Sequence, residues 1–147
     1  MVIRKSSPKK FFSKREKDRI VYAIRHAEDK TSSEIRVYLE HKAEADVLEH
    51  AKKVFEKLGM THTRHRNGVL IYFSLRDQHF AILGDQGIHE KVGDGFWKSI
   101  VSEMQIYFSK NDFVGGLETG IREIGSKLKK HFPRGSGDIN ELPDKLD

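Results

Sequence analysis

The chain has no cysteine, and only three prolines and one tryptophan, in 147 residues. Without thiols it forms no disulfide, offers no thiolate nucleophile and builds no zinc site that uses sulfur. No apolar run approaches the roughly 20 residues that cross a bilayer as a helix. The opening Met1-Val2-Ile3-Arg4-Lys5 lacks the apolar stretch of a secretory signal. A cytoplasmic setting with no membrane span is therefore expected. At 37% hydrophobic and 33% charged residues the composition is that of a soluble globular domain. A chain of this length buries about two-thirds of its unfolded surface, enough to hold one core without a staple.

The net charge of +5 is concentrated at one end. Residues 1–19 carry eight Lys and Arg against Glu16 and Asp18, so the other 128 residues sum to −1. A basic leader can lie on phosphate or on acidic lipid, although most such segments are simply solvated. No helix-turn-helix spacing or RNP-like motif accompanies it, and nucleic acid is not an expected partner. The chain divides into a basic segment over 1–12, a domain over 13–133 and a loose acidic tail over 134–147.

Within the domain, Ser13-Lys14-Arg15-Glu16 is a capping box. It opens a helix carrying Ile20, Val21, Ile24 and Ala27 that runs to about Asp29 or Lys30. Residues 34–40 alternate, giving a strand with Ile35, Val37 and Leu39 on one face. Val47, Leu48, Ala51, Val54, Phe55 and Leu58 form a second helical stripe that stops at Gly59. Residues 68–75 are almost continuously apolar, which suits a central strand covered on both faces. Arg76-Asp77 turns the chain into an antiparallel strand over 78–83, and Gly84-Asp85-Gln86-Gly87 closes it as a tight loop. A third helix is expected after Asp94-Gly95, with Phe96, Trp97, Ile100, Val101, Met104 and Phe108. A fourth follows Ser109-Lys110-Asn111 and ends at Phe132-Pro133. The aromatic residues Phe96, Trp97, Tyr107 and Phe108 read as core before they read as pocket walls. Gly115-Gly116 and Gly120 mark places where a neighbour packs closely. The fold class is α/β, a three-layer α/β/α sandwich whose small mixed sheet, with its first two strands parallel, is flanked by helices on both faces.

This topology brings chemistry to one edge of the sheet. The starts of the first two strands and the finish of the third should lie together, so the loops holding Thr31-Ser32-Ser33-Glu34, Arg66-Asn67-Gly68 and Gly84-Asp85-Gln86-Gly87 should converge, with Val92-Gly93-Asp94-Gly95 in reach. Three carboxylates, Glu34, Asp85 and Asp94, would meet oxygen-bearing Thr31, Ser32, Ser33, Asn67 and Gln86. Such a rim suits calcium, which takes six to eight oxygen ligands at roughly 2.3–2.6 Å, whereas magnesium keeps more of its waters. Equally, Asp94 can open the helix that follows it and Asp85 can brace its own loop.

Other signals fall short. Arg64-His65 precedes a strand instead of following one, which a histidine phosphatase would require. His62 and His65 lie in a polar loop and read as solvated. Gly84-Asp85-Gln86-Gly87 lacks the lysine of a P-loop, Gly93-Asp94-Gly95 is not a dinucleotide fingerprint, and no Gly-x-Ser-x-Gly elbow is present.

Ala51-x2-Val54-Phe55-x2-Leu58-Gly59, Arg66-Asn67-Gly68-Val69-Leu70-Ile71 and Ile82-x-Gly84-Asp85-x-Gly87-Ile88 occur in that order, with Thr31-x2-Glu34-Ile35 before them and Phe108-Ser109-Lys110-Asn111-Asp112-Phe113 after. Together, over about residues 11–133, they resemble the TPM domain, known from thylakoid-lumen proteins of photosystem II repair and a nematode modulator of acetylcholine receptors, in a short, soluble, bacterial-type form. The resemblance implies the same α/β/α sandwich, and members described as acid phosphatases or as calcium binders through loops at one sheet edge. Carried over to this chain, it makes Asp85 and Asp94 the first metal ligands and Glu34 and Asn67 the next. Calcium is the implied ion, with magnesium as the alternative. The implied function is a metal-binding module with an unidentified protein partner. The alternative is a weak metal-dependent acid phosphatase, in which a rim metal activates water and Arg36, Arg66 or Lys91 holds phosphate. The exported form with a signal peptide and membrane anchor, common in the family, is not matched here.

Overall fold

The computed structural model describes residues 7–93 and 95–135. The leading residues of the basic segment, Asp94 and the acidic tail from residue 136 onward lie outside that description. The described residues form α1 (Lys14–Glu28), β1 (Ile35–Glu40), α2 (Val47–Lys57), β2 (Val69–Ser74), β3 (His79–Gly84), α3 (Gln86–Val92), α4 (Lys98–Ser109) and α5 (Phe113–His131). None of these helices is long and apolar enough to cross a membrane.

Local chemistry explains the boundaries. Ser13 and Glu16 complete the capping box reciprocally, the Ser13 N–H donating to the Glu16 carboxylate at 2.9 Å and the Glu16 N–H to the Ser13 hydroxyl at 3.1 Å. At the end of α2, Gly59 takes φ 71°, the left-handed conformation glycine adopts without a Cβ penalty. The N–H of Met60 then bonds the Phe55 carbonyl and that of Gly59 the Glu56 carbonyl, the paired closure that ends a helix cleanly. Two expectations are corrected. The stretch after Asp85 is a seven-residue helix, α3, not a tight loop, and it escapes detection because Ile88 is its one buried residue. The next helix starts at Lys98, so Phe96 and Trp97 precede it.

The sheet has the order β1-β2-β3, with β1 parallel to β2 and β2 antiparallel to β3. All six residues of β2 are buried. Its alternate side chains enter two separate cores. Val69, Ile71 and Phe73 join Ile35, Val37, Leu39 and Ile82 against α1, α4 and α5. Leu70 and Tyr72 join Ala51, Val54, Phe55 and Met60 on the α2 side. Helices therefore cover both faces, as the pattern required. Phe11 and Phe12 are buried too, and the Phe11 ring meets Phe113 at 5.2 Å and Phe73 at 6.0 Å. The packed body thus begins ahead of the capping box, at least at Phe11. Of the aromatic residues read as core, Phe108 is buried, while Phe96, Trp97 and Tyr107 are half-buried.

Within the larger core α5 lies against both α1 and α4. Its Gly116 faces the Phe108 ring and its Gly120 the Met104 thioether so closely that a Cβ at either position would overlap them. Phe108 cannot retreat, because its ring stands 5.1 Å from Phe73, 5.0 Å from Phe80 and 5.7 Å from Phe113. Ala in place of Gly gains about 1 kcal/mol of helix propensity, but overpacking a filled core costs about 1–3 kcal/mol. Gly116→Ala should therefore lower the stability measured by denaturant unfolding, against the helix-propensity trend; a stabilised variant would refute this packing.

On the α2 side, the buried Tyr72 hydroxyl donates to Glu40 Oε1 at 2.6 Å, and His50 Nε2 meets the same oxygen at 2.7 Å. Burial first, then the bond to Glu40, holds the Tyr72 phenol far above the usual tyrosine range. Because the folded value exceeds the unfolded one, this contribution to stability is complete below pH about 10 and is lost as the pH climbs through higher values. An alkaline absorbance titration of the folded chain should therefore ionise fewer than its four tyrosines until it unfolds. Ionisation of all four with native circular dichroism would contradict the assignment.

Candidate functional site

The three strand ends meet as the topology required. Ile35, Val69 and Gly84 stand side by side in register. One residue further out, the Val69 N–H donates to the Glu34 carbonyl at 2.8 Å and the Asp85 N–H to the Gly68 carbonyl at 2.9 Å. The Asn67 amide nitrogen donates to the Ser32 hydroxyl at 3.1 Å, joining the first loop to the second. Glu34, Asn67 and Asp85 are 3%, 1% and 5% exposed, so this is a corner of buried polar side chains and not a solvated rim. Ser33 is buried beside them, and its hydroxyl oxygen has no hydrogen-bond partner among the described residues.

Arg66, which the sequence offered as a phosphate-binding candidate, faces Asp85. Its Nε and Nη2 donate to the two Asp85 oxygens at 2.7 and 3.0 Å, a two-point ion pair. Asp85 Oδ1 also accepts the Gln86 N–H at 2.8 Å and so caps α3. Asp85 therefore braces its own loop, and its carboxylate holds a guanidinium. The bond to Asp85, then its charge, raises the Arg66 pKa above the ordinary arginine value, so the side chain stays charged. Arg66 adopts φ 50°, a left-handed backbone unusual for a side-chain-bearing residue.

The remaining candidates separate. Arg36 is buried in β1 in register with Leu70, two residues along the strand from Glu34. Lys91 donates to the His131 carbonyl at 2.9 Å and lies 4.7 Å over the Phe132 ring. It lines a cleft of about 460 Å3 beside the corner, with Ser32, His65, Gly87, Glu90 and His131. Asp94 lies outside the described residues. Because α3 intervenes, Gly93 is carried about 10 Å along the helix axis from Asp85, where a short loop was expected. Among the described residues no three His, Cys, Asp or Glu side chains cluster as a metal site.

Sequence reasoning missed Glu28. Its buried carboxylate accepts the Ile35 N–H at 2.9 Å and so holds the end of α1 to the start of β1. The pairing is seven residues apart across a turn, and no periodic pattern announces it. The finish of α5 also joins the corner: Thr31 pairs with Pro133, the Ser32 N–H donates to the Phe132 carbonyl at 2.8 Å, and the Thr31 hydroxyl donates to that same carbonyl.

The order of elements and the mixed three-stranded sheet can be set beside known proteins. The TPM domain model matches residues 6–127. The chain belongs to the TPM domain family. The NMR structure of the BA42 protein from the psychrophilic bacterium Bizionia argentinensis is similar at 44% identity and a TM-score of 0.88, covering 92% of this chain and 94% of that one. The N-terminal domain of a protein from P. gingivalis shares the fold at 18% identity and a TM-score of 0.68, covering 82% of this chain and 78% of that one. No curated protein matches the chain.

In this TPM domain, Gly87 decides how closely α3 approaches the second loop. Its N–H donates to the Arg66 carbonyl at 2.7 Å, and a Cβ there would overlap the His65 carbonyl and stand 2.6 Å from that of Arg66. Both obstacles are backbone, so no rotamer relieves them. Gly87→Ala should cost about 1–3 kcal/mol of stability and shift the amide resonances of residues 65–67. A variant of wild-type stability with those resonances unmoved would show that the contact is dispensable.

Proposed function

We propose that this TPM domain binds a hard divalent cation, calcium in preference to magnesium, at the sheet-edge corner, and that it works as a binding module. The observation that carries the reading is the convergence of Glu34, Asn67 and Asp85 from three chain reversals onto one hydrogen-bonded corner. The donor chemistry fits a hard ion. Two carboxylates, an amide oxygen left over once the Asn67 nitrogen has donated to Ser32, and the unsatisfied Ser33 hydroxyl are all oxygen ligands. Asp94 is the further carboxylate the reading includes.

Arg66 is then the competitor. Its side chain is 45% exposed, so it has room to leave Asp85 when a stronger cation arrives. Hydrolysis of phosphomonoesters draws less support, since Arg66 and Lys91 already hold Asp85 and the His131 carbonyl.

Calorimetric titration with calcium is the test. Binding should be detected in the wild type, weaken in Glu34→Gln and Asp85→Asn, and tighten in Arg66→Ala, where the rival cation is gone. The melting temperature should rise with calcium concentration in the same order. Heats that are identical in all four proteins would end the reading.

A further inference from the structure

A groove on the outer face of the helical layer has the character of a binding surface. It has a volume of about 390 Å3 and runs between α1 and α5, with α4 at one side. Tyr22, His26 and Lys30 line it from α1, Glu118 and Arg122 from α5, and Tyr107 from α4. Tyr22 is 70% exposed, an unusual place for a large ring, and it stacks on His26 at 6.1 Å. Among these lining residues Glu118 is the one acid, and it is already taken by the Arg19 guanidinium. Lys30 and Arg122 leave the groove cationic between aromatic walls.

The chain supplies a complementary segment. Residues 136–147 carry Asp138, Glu141, Asp144 and Asp147 against Lys145, a net charge of −3. Ile139, Leu142 and Leu146 alternate with these acids, so the segment carries apolar side chains as well as negative charge. The basic leader has the wrong sign for this groove.

Position favours the same pairing. The Arg134 guanidinium donates to the Glu28 carbonyl at 3.0 Å, which holds the chain against the end of α1 one residue before the described part stops. Lys30 and His26 lie within a turn of Glu28, and Tyr22 is six residues back along α1, about 9 Å of helix rise. Twelve further residues span up to about 40 Å extended, so the whole groove is in reach. A short tether also gives an effective concentration of about millimolar, so a contact too weak to form between separate molecules is populated within one.

We infer that the acidic C-terminal segment, residues 138–147, docks into the Tyr22–Arg122 groove of its own chain. Acids on the segment meet Lys30, His26 and Arg122, and Ile139, Leu142 and Leu146 lie against the Tyr22 and Tyr107 rings.

The absence of native cysteine makes the test direct. A nitroxide on full-length Asn140→Cys should broaden the amides of residues 22–30 and 115–122 until most of their intensity is gone, while α2 is untouched. The broadening should disappear in the Lys30→Glu, Arg122→Glu background, and in about 1 M salt, where charges are screened within about 3 Å. Broadening spread evenly over the molecule would overturn the docking, and so would broadening that survives both charge reversal and salt. A mixture of nitroxide-bearing unlabelled chains with isotope-labelled chains lacking the nitroxide separates the occupants: broadening in that mixture would make a second copy the occupant and overturn docking within one chain. None of these outcomes depends on calcium.

Discussion

At one end of the sheet, Val69 donates its N–H to the Glu34 carbonyl and Asp85 donates to that of Gly68. Those two bonds extend the register of β2 with both neighbours by one step, and the corner exists because of that register. A slip of one residue would turn every side chain of β2 to the other face. Here both faces of β2 are buried, in two cores of different composition. A slip would drive Phe73 towards α2 and Tyr72, with its bond to Glu40, into the aromatic cluster, losing several buried contacts of about 1.5–3 kcal/mol each. The site is therefore held in alignment by hydrophobic burial, although none of its own residues is hydrophobic.

The helical layer extends that control to the chain ends. Gly116 and Gly120 let α5 approach α4, and Gly125 does the same for α1, where an added Cβ would stand 2.8 Å from that of Ala27. Close packing along α5 places its last residues beside Thr31 and Ser32, so the finish of the long helix is bonded into the first corner loop. α3 is fixed differently, by its Asp85 cap and by the bare backbone contact at Gly87. Burial, helix packing and a glycine contact thus converge on about a dozen residues.

How much of this was legible follows from what each signal depends on. The central strand, the capping box and the Gly59 stop are local patterns, and local patterns survive into the structure. The sheet order and the meeting of Glu34, Asn67 and Asp85 followed from them through chain geometry alone. α3 did not, because seven residues with a single buried side chain carry no readable period. The Arg66–Asp85 pair spans nineteen residues, and its partners looked like separate candidates for opposite charges, metal and phosphate. The burial of Arg36 was not legible for a related reason: charge in a strand reads as solvent-facing, yet this strand lies between two covered faces. Phe11 and Phe12 were invisible because two adjacent aromatics have no period at all.

The conformation of Arg66 shows what the corner requires. A left-handed backbone costs a residue with a Cβ about 1–2 kcal/mol relative to an ordinary helix conformation, and glycine would escape that cost. Glycine would also serve the backbone role, since the bond made here is from Gly87 N–H to the Arg66 carbonyl. The side chain must then justify the strain. Its work is visible at Asp85, whose carboxylate is 5% exposed and would be left with only one N–H to answer its charge. A buried charge without a counter-ion is penalised by several kcal/mol, more than the strain amounts to. The corner is thus built around a negative charge that demands a cation, and arginine is the cation the chain itself provides. On the proposed function, a divalent ion meets that demand more fully, because it can also engage Glu34 and Asn67, which the guanidinium is not seen to reach. Its arrival would release a strained, exposed arginine from the corner, so occupancy would be displayed on the surface by the position of Arg66.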